Sequence, residues 1–140
     1  MNAKRAKADG FSLLELLVVL AVLAVLLGIG GIYLSRFIAE ARLNESVEEL
    51  GATLRFVGDV AVTRSETITL NVDGSTLTWQ DEIGTVLGSR TLPNEATATP
   101  ADTITFRGRG LPVESHTFTV SQAKGTKTLY LLPTGAVILR

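Results

Sequence analysis

GFSLLELLVVLAVLAVLLGIGGIYL, Gly10 to Leu34, carries a single charged side chain, Glu15. As a helix rising 1.5 Å per residue, Phe11–Leu34 covers about 36 Å, enough for a hydrocarbon core of roughly 30 Å. Thirteen of the residues from Leu16 to Leu34 are Leu, Val or Ile. Each contributes about −0.3 to −0.6 kcal/mol at the centre of a spanning helix, against roughly +2.5 to +3.5 for a mid-membrane acid, so insertion wins. Lys4, Arg5 and Lys7 stand before the span. The positive-inside rule then keeps the start of the chain cytoplasmic and sends the C-terminal part across.

A basic start and an apolar run also describe a secretory signal peptide, but that apolar region is shorter and ends directly in an A-x-A-like site, and none directly follows Leu34. A lipoprotein signal needs a Cys, and the chain has none. An uncleaved signal anchor is the plain alternative, and Glu15 argues against it. A carboxylate in the first turns of a spanning helix is costly without a partner, which marks it as functional.

Gly10-Phe11-Ser12-Leu13-Leu14-Glu15 followed by an apolar run resembles the prepilin cleavage and methylation motif of type IV pilins and type II secretion pseudopilins. The resemblance implies a leader at residues 1–10, a transmembrane and filament-core segment at 11–34, and a soluble pilin-like domain at 35–140. It implies that a membrane-embedded prepilin peptidase cuts between Gly10 and Phe11 and N-methylates Phe11. Gly10 suits such a cleft, because a residue without Cβ lets the backbone lie close. Glu15 would then meet the N-terminal amine of an adjacent subunit and act in filament assembly, since two buried charges are tolerable when paired. The expected partners are the peptidase, other pilins and the inner membrane before assembly. The expected location is single-pass in that membrane with the C-terminal domain in the periplasm or outside, then in a filament at the cell surface or across the periplasm. Gly28, Gly30 and Gly31 each lower helix propensity by about 1 kcal/mol relative to Ala, which would allow a bend or local melting during assembly, while glycine also serves close packing in membrane helices.

Beyond Leu34 the helix has no reason to stop. Leu43, Val47, Leu50, Leu54, Val57 and Ala61 recur at spacings of four and three, with charged residues largely between them, and no proline interrupts residues 11–64. That pattern predicts one helix of about 50 residues whose later half turns an apolar stripe to a core. From Thr67 the texture changes to β-branched runs: strands are expected over 68–72 and 76–80, joined by Asp73-Gly74, then over 85–90, 103–106, 117–120, 128–132 and 136–139. Residues 91–102 read as a surface loop. The expected class is α+β, the helix packed on an antiparallel sheet or a small sandwich. FRGRGLP at Phe106–Pro112 and the LPTGAVILR stretch from Leu132 add a looser resemblance to GspH/FimT-type minor pilins.

Charge divides unevenly: +1 over residues 1–34, −5 over 35–99 and +3 over 100–140, too little for the whole chain to bind nucleic acid by charge alone. Arg107, Arg109, Lys124, Lys127 and Arg140 are candidate DNA contacts, expected as one small phosphate-binding patch. The resemblance supports this, since some FimT-type minor pilins bind DNA through arginines during uptake. His116 alternates with Thr117, Phe118 and Thr119 on an expected strand, which suits a surface or core-edge residue rather than a base. No catalytic constellation, cofactor or metal is expected, and the chain is read as no enzyme. Three functions follow in order: a minor pilin of a type IV pilus, with DNA uptake as one form of it; a GspH-like minor pseudopilin of type II secretion; and a signal-anchored sensor or binding domain.

Overall fold

A computed structural model describes residues 12–140, and of residues 29, 30 and 32 the backbone alone. Helix α1, Leu13–Arg64, is followed by strands β1 Ile68–Gly74, β2 Thr76–Gln80, β3 Val86–Thr91, β4 Thr97–Phe106, β5 His116–Gln122, β6 Gly125–Leu131 and β7 Val137–Leu139. The chain divides into two units, one ending at Phe37 and the other Ile38–Arg140.

The first unit is helix alone. Ser12 caps it: its hydroxyl accepts from Leu14 N–H at 3.2 Å, and its carbonyl accepts from Glu15 and Leu16 N–H. A serine in this place satisfies donors that the first turn leaves open. Every side chain from Leu13 to Gly28 is exposed, and the α1 backbone is helical through residues 28–31. This helix is long and apolar enough to cross a membrane.

In the second unit, α1 lies on one seven-stranded antiparallel sheet of order β3-β2-β1-β4-β5-β6-β7, a single layer rather than a sandwich. The expected stripe is the helix side of the core, with Leu50, Val57 and Ala61 fully buried. Period-two alternation supplies the sheet side: Ile68, Leu70 and Val72 face in, while Thr69 and Asn71 do not. Phe106, Phe118, Leu129 and Leu131 complete the layer, each apolar side chain contributing roughly 1.5–3 kcal/mol by burial.

The expected loop at 91–102 is corrected by the structure. β4 begins at Thr97, and Leu92, Ala96 and Ala98 are buried. Thr97 to Thr99 pair with Ser121 to Thr119 of β5, while Asp102 to Phe106 pair with Val72 to Ile68 of β1. Pro100, which has no N–H to donate, stands between the two pairings, and the β1 register shifts beside it. Beyond the gap the β5 side is met again by Phe106 opposite Pro112 and by Val113 N–H donating to Thr105 O. Within the gap the Asp102 carboxylate and His116 Nδ1, 2.6 Å apart, take over from the backbone. His116 is a buried core-edge residue, stacked on Phe118.

Candidate functional site

Gly10, Phe11 and the expected leader lie outside the described residues. Glu15 is placed in the first turn of α1, three residues after the Ser12 cap, and it is exposed. A carboxylate there is favoured by the positive end of the helix dipole. Ser12-Leu13-Leu14-Glu15 also has the spacing of a capping box. Among the described residues, no cation pairs with Glu15. Its environment is apolar: Leu13, Leu14, Leu16 and Leu17 all present more than half their surface.

The five basic residues do not form one patch. Lys124 sits in the β5–β6 turn, where the neighbouring Gly125 approaches Leu43 Cδ2. Lys127 Nζ donates to Asn44 Oδ1, and Arg140 pairs through its backbone with Thr128. Arg107 and Arg109 belong to a loop closed by Gly110 N–H on Arg107 O at 2.7 Å and by Arg107 N–H on Leu111 O at 3.1 Å. That loop lies on the far part of the helix, Gly108 against the Ser65 carbonyl and Gly110 against Gly58 and Val62. From Asn44 to Gly58 the helix rises about 21 Å, so the two lysines lie toward one end of the second unit and the arginine loop toward the other, with Arg140 midway along β6. Phe106, the aromatic ring next to Arg107, is 2% exposed and offers no face for stacking a base.

A polar clasp that sequence reading missed joins α1 to the β3–β4 connection. Ser46 Oγ donates to Pro93 O at 3.0 Å, Asn94 Nδ2 to Glu45 Oε2 at 2.8 Å, and Gln122 Nε2 to Asn94 O at 2.7 Å. Asn94 and Glu95 both hold positive φ, near 58° and 57°. Only the Pro93-Asn94 turn signal hinted at it. Among the described residues no cluster of three metal-ligating side chains occurs.

Residues 5–31 match the family model of the prokaryotic N-terminal methylation motif. With that motif at the start of an acid-bearing apolar helix that leads into a helix-on-sheet domain, the chain is similar to type IV pilins. Its fold is that of the type IV minor pilin FimU of Pseudomonas aeruginosa, seen in two crystal forms at 22% sequence identity. One superposes with a TM-score of 0.60 over 74% of this chain and 92% of the FimU chain; the other gives 0.55 over 69% and 91%. Comparison with curated protein sequences returned no match.

Proposed function

We propose that the chain is a minor pilin subunit of a type IV filament. It is held in the inner membrane by residues 11–34, with its C-terminal domain exported, until prepilin peptidase cuts after Gly10 and methylates Phe11. The methylation-motif match over residues 5–31, upstream of a minor-pilin fold, is the observation that carries this reading. Glu15 then pairs with the N-terminal amine of a neighbouring subunit, where two charges leaving water require each other. A GspH-like role in a type II secretion system uses the same helix and the same processing, and differs in the partners of the filament.

Intact-mass and N-terminal analysis of protein from native membranes tests the processing. We expect a chain starting at methylated Phe11, and a Gly10→Ala variant that keeps its leader. A wild-type chain retaining Met1–Gly10 beside an active peptidase would return the protein to the signal-anchored class.

The DNA-uptake form of this reading now rests on Arg107 and Arg109, which share one loop, without the distant Lys124, Lys127 and Arg140. Two phosphate contacts on a single strand give a salt slope of about −1.4 in log K against log[salt]. Binding of single-stranded DNA by the full chain should therefore be weak, salt-sensitive and lost in the Arg107→Ala/Arg109→Ala variant. Binding unaffected by that variant would place any nucleic-acid contact elsewhere.

A further inference from the structure

The β2–β3 hairpin ends in a turn that is fixed by its own bonds. Asp81 Oδ1 accepts from Ile83 N–H at 3.1 Å and Thr85 N–H at 2.7 Å, Gly84 N–H donates to Asp81 O, and Asp81 N–H donates to Thr85 O. At its apex stand Glu82, exposed, and Ile83, 88% exposed. One aliphatic in water is ordinary on a protein surface. Here, however, the same unit contains a cleft of complementary chemistry. Arg107, Arg109, Leu111, Pro112, Val113 and Pro133 line a hollow of about 200 Å³. Leu111 and Val113, each more than 40% exposed, bring apolar surface to it, and neither guanidinium has an ion-pair or hydrogen-bond partner among the described residues.

We propose that the hairpin tip of one copy seats Ile83 in this cleft on a second copy, with the Glu82 carboxylate pairing with Arg107 and Arg109. The tip cannot reach its own cleft. Gln80 is opposite Thr69, Thr69 opposite Thr105, and Thr105 O accepts from Val113 N–H, so tip and cleft are separated by three strand spacings, about 14 Å. Different patches of two copies therefore meet, a heterologous contact that propagates from copy to copy instead of closing as a twofold dimer. One knob buries far less than the roughly 1,200 Å² of a stable free-standing interface. The contact is populated where the N-terminal helices already concentrate copies side by side, in a membrane or a filament. In that respect it rests on the filament reading.

The chain has no cysteine, so introduced ones report alone. Ile83→Cys and Leu111→Cys copies, expressed together at full length, should give a disulfide-linked dimer on mild oxidation, and neither copy should do so by itself. Glu82→Arg on the Ile83→Cys copy should lower the yield at least tenfold, and Arg107→Glu/Arg109→Glu on its partner should restore it. No dimer in membranes or in filaments containing both copies would overturn the contact while leaving the filament reading intact. Capture by Ile83→Cys of a protein of another mass would overturn the assignment to a second copy. A dimer formed by chains that retain Met1–Gly10 and never enter filaments would support the contact and sink the filament reading.

Discussion

Replacing Gly58 by alanine should destabilise the protein by about 1–3 kcal/mol, although glycine to alanine inside a helix ordinarily gains up to about 1 kcal/mol. The inversion follows from what a Cβ would meet. At Gly58 it would stand 2.8 Å from the Gly110 carbonyl oxygen, inside any normal contact. Nor can Gly110 retreat easily, because its loop is closed by two backbone hydrogen bonds and its own φ is +75°. Seven residues earlier, Gly51 supplies the control. A Cβ there meets Val137 Cγ1 at 3.5 Å and Leu129 Cδ1 at 3.8 Å, ordinary packing distances. Gly51→Ala should therefore gain about 0.5–1 kcal/mol. Thermal unfolding of the full chain in detergent, followed by circular dichroism, reads both variants, each kcal/mol moving Tm by roughly 4–8 °C. Two alanines of equal effect would mean that the arginine loop does not rest on the helix.

The same backbone contact holds the cleft proposed to receive Ile83. Arg107 and Arg109 extend from a loop whose glycines allow it to lie against residues 58–65. A side chain at Gly58 would displace both arginines together with Leu111, so the stability of this corner and its capacity to bind are one packing problem. Gly51 lies against β6 and β7 instead and leaves the loop alone.

Elements with a strong local period were legible. The stripe from Leu43 to Ala61 is buried along the helix, and Thr76–Gln80 is a strand as its alternation required, although the turn before it is Gly74-Ser75, one residue later than expected, because Asp73 still pairs with Thr76. The first part of β4 was not legible, although its end over 103–106 was, because Thr97-Ala98-Thr99 alternates with too small an apolar residue to signal a core, and Pro100 reads as a breaker. It is tolerated at an irregularity, between Ala98 opposite Gly74 and Asp102 opposite Val72, where the β1 register shifts. Whether the strands make one layer or two depends on pairings such as Ile68 with Phe106, which no local window contains. The basic residues illustrate the same limit. Arg109 and Lys124 are near in sequence, but β5, a seven-residue strand of about 23 Å, carries the chain from one end of the unit to the other between them. Asp102 and His116 came together for the opposite reason, as facing positions of two strands joined by a long loop.

For Glu15 two physical roles remain superposed, and one substitution separates them. As the third helical residue after Ser12 it suits a capping box, a role that glutamine fills as well as glutamate, since either side chain can accept from the cap N–H. As the partner of a neighbouring amine it must carry charge, which glutamine cannot supply. Glu15→Gln should therefore keep the helix start and cleavage after Gly10, yet reduce recovery of the subunit in sheared filaments by at least about tenfold, because an amine drawn into an apolar core loses its counter-charge. Glu15→Leu should give the same loss, and the helix content of both variants in detergent should match wild type. Normal recovery of the Gln variant would assign Glu15 to the cap and dipole of its own helix. Loss of recovery together with unprocessed leader would move the residue's role back to the peptidase step. Loss of recovery from fully processed chains leaves the missing charge as the cause, since the glutamine differs from the native side chain in little else.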